Sequence, residues 1–225
     1  MTASPIAGVP NETIVRTYDR LAVLYDWFLT PLKVKTRQRA VDVLGIEGGE
    51  TVVEIGCGPG HALLALSERV GQSGYVVGLD AAPGMVRRAR QRLVRGTSGR
   101  TDALLGDARS VPFRTDTVDF VFIEDTLELF SNDEMATVVD EVHRILRDDG
   151  RLCVLTMERA GAEGDRFVKT YDWLFENVPG YRRFGCRPIY ARRALETGGF
   201  EIVRRERHRR GHVWPVELLV ARPDQ

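Results

Sequence analysis

The amino-acid sequence predicts an α/β fold built on a doubly wound, mostly parallel sheet of seven strands. Between residues 51 and 157, short apolar segments alternate with longer segments of helical periodicity, the pattern of a sheet wound by crossover helices. The apolar segments are hydrophobic along nearly their whole length, as expected when helices cover both faces of a parallel sheet. Two later apolar segments, residues 200–205 and 216–221, predict an antiparallel hairpin that closes the sheet.

The N-terminal part is predicted to form two helices ahead of the sheet. They are expected at residues 12–29 and 34–44, with Pro31 between them. In the first helix, apolar side chains recur every three or four positions, at Ile14, Tyr18, Leu21, Tyr25 and Phe28. This spacing gives one apolar stripe along a helix. Residues 12–47 are therefore expected to be a helical segment that precedes the core.

The core follows at residues 51–157. Its strands are expected at residues 51–55, 75–79, 103–105, 118–123 and 151–156. The helices between them are expected at residues 61–70, from Pro83 onward and at 133–146, and Asp149-Gly150 predicts a turn before the fifth strand. Residues 158–190 break the alternation and are rich in aromatic side chains, which predicts an inserted helix and loop. A helix at 191–197 and the hairpin then complete a single domain of residues 1–225.

Composition excludes several classes of function. The 225 residues include equal numbers of acidic and basic side chains, so no net field attracts nucleic acid. No apolar run approaches the roughly 18 residues that a membrane-spanning helix needs. Cys57, Cys153 and Cys186 are far apart and form no paired motif, so neither a metal site nor a disulfide framework is expected. With no recognisable secretion signal, these features predict a cytoplasmic protein.

The clearest motif is the glycine-rich turn Glu54-Ile-Gly-Cys-Gly-Pro-Gly60, between a predicted strand and a predicted helix. Glycines there allow a tight turn and let a ligand lie against bare backbone. Nicotinamide-dinucleotide proteins have glycine or alanine at the third position of their fingerprint, where this chain has His61. The chain also lacks the Gly-Lys-Ser/Thr of a nucleoside-triphosphate loop. The turn is therefore structural or binds a different ligand.

Acidic side chains stand at the ends of four predicted strands. They are Glu54, Asp80, Asp107 and, after the fourth strand, Glu124 with Asp125. Ligands of such sheets bind at the carboxyl ends of the strands, and an acid after the second strand can accept hydrogen bonds from a ribose. Asp107 can cap an adenine amino group. An acidic edge disfavours a pyrophosphate and favours a ligand that carries a sulfonium and an ammonium group.

These motifs resemble those of the class I S-adenosylmethionine (SAM)-dependent methyltransferases, which have a Rossmann-like fold. The likeness runs from about Tyr18 onward and includes the glycine-rich turn, Asp80, Gly-Asp-Ala at 106–108 and residues 142–150. That last stretch ends Asp-Asp-Gly, where the family usually has Pro-Gly-Gly. The resemblance implies SAM as the cofactor, bound by Tyr18, Tyr25, Glu54, Gly56, Cys57, Gly58, Gly60, His61, Asp80, Ala81, Met85, Gly106, Asp107, Ala108, Glu124, Asp125 and Thr126.

The same resemblance implies which residue would bind each part of the cofactor. Backbone at Gly56 and Gly58 would hold the methionine part, and Asp80 would hold the ribose. The adenine would lie beside Met85 and against the edge formed by Asp107 and Ala108. Glu124 would lie under the sulfonium.

The sequence of the predicted N-terminal helix gives information about the methyl acceptor. Tyr18-Asp19 and Tyr25-Asp26 are seven residues apart and return to one helix face. The spacing alone fits core packing or a lid, and the stretch is similar to the N-terminal lid of quinone-modifying and phospholipid-modifying methyltransferases. After it, this chain has Trp27-Phe-Leu, where the quinone enzymes tend to continue with a histidine and a tryptophan in a short polar motif. The aromatic residues either cover the sheet or favour a small, apolar or aromatic acceptor, such as a quinol-like carbon or a lipid or amine head group.

Candidate proton-transfer groups are Tyr25, His61 and Asp125. His208 and His212 are four residues apart but lie on a predicted strand or turn, so they form no helical metal pair. The basic run at 204–210 predicts a solvated edge strand or contact with an anionic lipid surface. We expect methyl transfer to a small, possibly lipophilic molecule by a monomer or homodimer. A SAM-binding regulatory or partner protein without turnover and a nicotinamide-dependent oxidoreductase are the alternatives.

Overall fold

The computed structural model describes residues 11–28, 30–97, 99–178, 180–211 and 213–224, apart from the side chains of Asn11, 21–30, Arg95 and Phe184. The helices are α1 (Asn11–Phe28), α2 (Thr30–Val43), α3 (His61–Val70), α4 (Pro83–Gly96), α5 (Asn132–Ile145), α6 (Arg166–Asn177) and α7 (Ala191–Thr197). The strands are β1 (Thr51–Ile55), β2 (Tyr75–Asp80), β3 (Arg100–Leu105), β4 (Val118–Glu124), β5 (Leu146–Met157), β6 (Phe200–Arg210) and β7 (Trp214–Pro223). Two short 3-10 turns lie at Leu127–Leu129 and Tyr181–Phe184.

The strands form one seven-stranded sheet in the order β3-β2-β1-β4-β5-β7-β6. Strands β1 to β5 run parallel, and β7 lies antiparallel between β5 and β6. The strand order reverses between β1 and β4, so the loops that leave these two strands diverge and open a crevice at their carboxyl ends. This topology confirms the predicted doubly wound fold and its closing hairpin.

The central strand β4 shows why the strands are apolar throughout. Phe120 and Phe122 are fully buried among side chains of α2, α3 and α4. Val121 and Ile123 point to the opposite face and pack with α5 and α7. Because successive side chains of a strand point to opposite faces, a sheet covered on both sides needs apolar residues at every position.

Two boundaries differ from the sequence-based prediction. The turn predicted at Asp149-Gly150 is wrong, because β5 begins at Leu146 and runs through these residues as an irregular stretch of strand. Its register jumps from Val118 opposite Leu146 to Phe120 opposite Arg151, which takes up the extra residues. Pro31 does not separate α1 from α2 as predicted but lies in the first turn of α2, where its missing N–H leaves no broken hydrogen bond.

The basic run lies on the edge strand β6, and its arginines are paired with acids. Arg204 contacts Glu206, Arg205 contacts Glu158 and Glu217, Arg207 contacts Glu158, and Arg209 contacts Asp165. The run thus lies on an edge strand, as one of its two interpretations predicts, and its charge is largely neutralised within the protein. Arg210, the last residue of β6, points inward and is 2% exposed.

Candidate functional site

The glycine-rich turn leaves β1 at the crevice with backbone that side chains seldom adopt. Gly56 and Gly58 have φ angles of 74° and 51°. A Cβ added to Gly56 would lie 2.0 Å from the Thr126 hydroxyl, so no other residue fits there. A Cβ on Gly58 would meet nothing within 4 Å, so the backbone of this residue borders open space. The turn therefore presents bare backbone to the crevice, as its sequence predicts.

Asp80 ends β2 and ties the glycine-rich turn to the next loop. Its Oδ2 accepts a hydrogen bond of 2.8 Å from the Gly58 N–H, and its Oδ1 accepts one of 2.9 Å from the Ala82 N–H. Burial raises the pKa of Asp80 even though both backbone hydrogen bonds favour the charged form. Each carboxylate oxygen still has a lone pair for a further donor.

Asp107 follows β3 and is held by its neighbour Arg109. Arg109 donates from Nε and Nη2 to the carboxylate, at 3.1 and 2.6 Å, and its Nη1 donates to Glu134 at 2.6 Å. The Arg109 hydrogen bond lowers the pKa of Asp107. The carboxylate is thus charged and fixed in position beside Gly106 and Ala108, which border the crevice with it.

A cavity of about 90 Å³ lies between these strand ends and α1. Twelve of the residues implied by the family resemblance line it: Tyr18, Gly56, Gly58, Asp80, Ala81, Met85, Gly106, Asp107, Ala108, Glu124, Asp125 and Thr126. The sequence reasoning missed seven apolar lining residues: Ile14, Val15, Ile55, Leu79, Ala82, Leu129 and Phe130. Ile14 belongs to the apolar stripe of α1, so that stripe was the available signal for one of them.

Of the other five implied residues, four stand apart from this lining. The side chain of Tyr25 is outside those the structure describes. Cys57 is buried and packs against Gly78, and Gly60 is left-handed and packs on Ala89. His61 begins α3 and is absent from the lining.

Glu54, the fifth, is buried at the end of β1. Burial, and secondarily the charge of Glu124, raises its pKa well above the usual range. Among the described residues, its Oε2 has no hydrogen-bond partner. The side chain is therefore buried at the end of β1 and is not part of the cavity lining.

The two acids at the end of β4, Glu124 and Asp125, are surrounded by cations, which corrects the prediction of an acidic edge. Arg37 Nε lies 2.6 Å from Glu124 Oε2, and Lys33 Nζ lies 2.7 Å from Asp125 Oδ2. Arg210 contacts both acids, at 3.0 Å from Glu124 Oε1 and 2.5 Å from Asp125 Oδ2. We call these five residues the β4 charge cluster. Lys33 and Arg37 are four apart on α2, so a shared helix face was the one sequence signal for them.

Asp125 is the most constrained member of the β4 charge cluster. It has a φ angle of 51°, in the left-handed region where residues other than glycine are uncommon. Burial alone would raise the pKa of Asp125, but Arg210 and Lys33 outweigh it and hold the value at about 2. Asp125 is thus a charged, anchored carboxylate in the cavity wall.

Glu128 lies one turn further on, in the 3-10 turn after β4, and was not predicted. It is fully buried, and its Oε2 accepts a hydrogen bond of 2.6 Å from Thr156 Oγ1. Burial, together with the negative charge of Asp125, raises its pKa to about 8. Glu128 is therefore a carboxyl group that exchanges its proton near neutral pH.

The insertion contacts α1 through a small polar and aromatic group. The Tyr18 hydroxyl lies 3.6 Å from Cys186 Sγ, and the Tyr171 hydroxyl donates to the Cys186 carbonyl at 2.6 Å. Tyr171 also packs edge-on against Tyr181, with ring centroids 5.4 Å apart. Phe167 stacks on Trp214 at 6.1 Å. The aromatic side chains of the insertion are therefore linked to the cavity-lining Tyr18 through Cys186.

The described part of the chain offers no group of three or more histidine, cysteine, aspartate or glutamate side chains that could hold a metal ion. Of its helices, none combines the length and apolar character that crossing a bilayer requires.

Comparison with known proteins gives consistent results. A family model described as "Methyltransferase domain" matches residues 52–150. A demethylmenaquinone methyltransferase from Listeria monocytogenes is 25% identical over 222 residues, which cover 89% of each chain. Nocamycin O-methyltransferase from Saccharothrix syringae is 32% identical over 135 residues, which cover 60% of this chain and 48% of that protein. The match thus spans about half the length of the second relative and nearly all of the first.

Solved structures share the fold at lower sequence identity. A SAM-dependent methyltransferase from Aquifex aeolicus superposes with a TM-score of 0.62 and 20% identity, covering 95% of this chain and 99% of that one. The [4+2]-cyclase SpnF superposes with a TM-score of 0.72 and 19% identity, covering 100% of this chain and 99% of the other. At such identities the likeness demonstrates the fold alone.

Proposed function

This chain is a class I SAM-dependent methyltransferase, and on that premise we propose that it methylates a small hydroxylated aromatic acceptor of the quinol type. The observation that carries the acceptor class is the aromatic group of the insertion, which meets the cavity-lining Tyr18 at Cys186. Pockets for apolar acceptors are lined mainly by such side chains. The similarity to a demethylmenaquinone methyltransferase, which covers 89% of each chain, supports the same class.

The cofactor is assigned to the cavity at the strand ends. Its methionine part would lie against Gly56 and Gly58, where the backbone is open. The ribose hydroxyls would donate to the remaining lone pairs of Asp80, which two backbone N–H groups already hold in place. The adenine would pack near Met85 beside Asp107. These residues fit SAM because they offer acceptors and bare backbone without a bulky side chain in the way.

When bound, SAM supplies a methyl group activated by a positive sulfur. The protein must then hold the acceptor in line with the methyl carbon and sulfur, and orientation of this kind can supply much of the rate enhancement. Tyr18, Ile14 and Val15 place α1 over the cavity, so this helix would exclude water from the reacting atoms. Free space of about 90 Å³ is below the roughly 300 Å³ of the smallest ordinary ligand pockets, so loading would require α1 to move.

The test is a direct assay with purified protein, SAM and a short-chain demethylmenaquinol kept reduced under anaerobic conditions. Mass spectrometry with fragmentation would report whether a methyl group is added and whether it is on a ring carbon or an oxygen. The unreduced quinone serves as the control, because it lacks the hydroxyl groups and should not react. Transfer to either position supports the proposal. Binding of SAM without transfer to this quinol would overturn the acceptor class.

A further inference from the structure

Two carboxylate oxygens beside the cavity have unused hydrogen-bonding capacity. Within the residues that the structure describes, neither Asp125 Oδ1 nor Glu128 Oε1 has a hydrogen-bond partner, and both atoms are buried. Asp125 is 7% exposed and Glu128 0%. Buried polar atoms are nearly always satisfied, so two exceptions within four residues call for a donor from elsewhere.

The two side chains differ in how they are neutralised. Asp125 Oδ2 receives both Lys33 and Arg210, at 2.7 and 2.5 Å. Glu128 Oε2 accepts a hydrogen bond of 2.6 Å from the neutral hydroxyl of Thr156, and a backbone N–H at Glu128 also favours the charged form. Asp125 is therefore fixed as an anion, whereas Glu128 can gain or lose a proton with little competition from a direct ion pair.

Glu128 is fully buried behind the cavity wall, and its neighbours in the chain line the cavity. Asp125 precedes it in the cavity wall, and Leu129 and Phe130, which follow it, also line the cavity. On the other side, the negative charge of Glu128 acts on Cys186 and Tyr171 of the insertion. An acceptor held between the methyl group and these aromatic side chains would have its hydroxyl near this carboxyl group.

Glu128 interacts with groups from six parts of the fold, either through their charge or through a hydrogen bond. They are Asp125 after β4, Lys33 on α2, Thr156 on β5, Tyr171 on α6, Cys186 and Arg187 in the insertion, and Arg210 on β6. Burial first and Asp125 second raise the pKa of Glu128 to about 8, while Thr156 and Lys33 oppose them. A base works best when its pKa is near the working pH, so this environment suits proton transfer.

We propose that Glu128 is the catalytic base that takes the hydroxyl proton of the methyl acceptor, with Asp125 Oδ1 holding the acceptor in place. This assignment rests on the proposed function and names the residue that activates the acceptor. The unpartnered Glu128 Oε1 is the atom that receives the proton. A hydroxylated acceptor would satisfy both unpartnered oxygens, which an acceptor without a hydroxyl or amine group could not do.

The step balances as follows for a quinol. The Glu128 carboxylate removes the hydroxyl proton, and electron density moves to the ring carbon. The carbon bonds to the methyl group, the carbon–sulfur bond breaks, and its electron pair stays on sulfur. The ring carbon then loses its own hydrogen as a proton to solvent, and Glu128 returns its proton to the ring oxygen. Each turnover forms one methylated quinol and one S-adenosylhomocysteine and releases one proton.

The test compares Glu128→Gln with wild type on two acceptors. One is the short-chain demethylmenaquinol, and the other is a hydroxynaphthoquinone whose hydroxyl is already ionised at neutral pH. Glu128→Gln keeps the size of the side chain and the hydrogen bond to Thr156. The matched control is Glu217→Gln, because Glu217 is equally buried and also has an unpartnered oxygen. Its neighbours on β7 are not among the cavity-lining residues, whereas Leu129 and Phe130 next to Glu128 are.

We expect kcat/KM of the wild type for the quinol to rise with pH to a plateau above about 8. In Glu128→Gln it should fall by about 100-fold or more and lose this rise, because general base catalysis contributes that much. Transfer to the ionised acceptor, SAM affinity by calorimetry and the Glu217→Gln control should all stay near wild type.

Three results would overturn the assignment. An unchanged pH profile in Glu128→Gln would mean that Glu128 takes no proton. Equal losses on both acceptors, or loss of SAM binding, would mean that its role is structural. A wild-type protein that binds SAM but methylates neither acceptor would overturn the proposed function, and this assignment with it.

Discussion

Arg210 at the end of β6 lies 2.5 Å from Asp125 at the end of β4, although β5 and β7 separate the two strands in the sheet. The guanidinium also contacts Glu124 at 3.0 Å, so one side chain from the edge strand neutralises two buried acids at the centre. The closing hairpin thereby balances the charge of two acids that line the cavity. Its contribution is electrostatic as well as structural.

The first prediction concerns this contact. Arg210→Met leaves Glu124 and Asp125 with fewer cations in a buried site, which typically costs about 3–5 kcal/mol of unfolding free energy. Arg209→Met is the control. Arg209 pairs with Asp165, but its side chain is 52% exposed, so losing this pair should lower the unfolding free energy by less than about 1 kcal/mol. Urea unfolding followed by circular dichroism measures both. Equal losses in the two variants would contradict the buried role of Arg210.

The second prediction concerns Asp80. Asp80→Ala should weaken SAM binding by about 2 kcal/mol, because hydrogen bonds from the ribose to a charged acceptor disappear. Since Asp80 also accepts from Gly58 and Ala82, Asp80→Asn, which keeps one acceptor oxygen, should bind more tightly than Asp80→Ala. Calorimetry with SAM measures the affinities, and Asp102→Ala on β3 is a control away from the cavity. Wild-type affinity in Asp80→Ala would show that the ribose lies elsewhere.

The third prediction is a pH dependence of stability from Glu128. The pKa of Glu128 is about 8 in the folded protein and 4.5 without the fold, so between these values folding takes up a proton. The stabilisation from this group is complete below pH 4.5 and is lost as the pH rises towards 8.

Relative to Glu128→Gln, the wild type should therefore lose up to about 1.4 kcal/mol of unfolding free energy per pH unit in this window. Unfolding at several pH values from 5 to 8 tests it. A constant difference between the two proteins would contradict the raised pKa.

The fourth prediction concerns α1 as a lid. Val15 and Tyr18 pack on Ala82 and Met85 at the start of α4, and the Gly84 N–H donates to Asp19 Oδ1 at 2.5 Å. Because a helix covering a cavity gains contacts from what the cavity holds, SAM should slow amide hydrogen exchange in α1 much more than in α5, the internal control.

Tyr18→Phe, which removes the contact with Cys186, should lower turnover more than stability. Tyr25→Ala should do the same if its ring shares the face of Tyr18. Equal protection of α1 with and without SAM would make it an ordinary core helix.

The sequence predicted correctly those features of the structure that depend on local sequence pattern. Apolar runs with turn-forming glycines placed the strands, and the strand ends placed Asp80 and Asp107 at the cavity, because parallel strands bring their carboxyl ends to one edge. The acidic edge failed at Glu124 and Asp125 for the opposite reason. Their charges are cancelled by Arg210, 85 residues after Asp125, and no local pattern pairs residues so far apart.

Glu128 shows a similar limit. In the sequence it is one acidic residue in an acidic stretch, and nothing marks it as buried. Glu128 is buried because it lies in the 3-10 turn after β4, where it accepts a hydrogen bond from Thr156 on β5. This contact exists only once the sheet has assembled. The turn predicted at Asp149-Gly150 failed because the pairing of β5 with β4 overrides a local turn preference.

The contact between Arg210 and Asp125 also orders events during synthesis. A ribosome adds Arg210 85 residues after Asp125, when all five parallel strands have already been synthesised. Until then, Glu124 and Asp125 lack one of the cations that make their burial tolerable. The nascent chain should therefore gain little stability from free SAM until β6 and β7 have both been added, because β7 joins β6 to the rest of the sheet. Ligand-driven stabilisation would thus act as a check on completed translation.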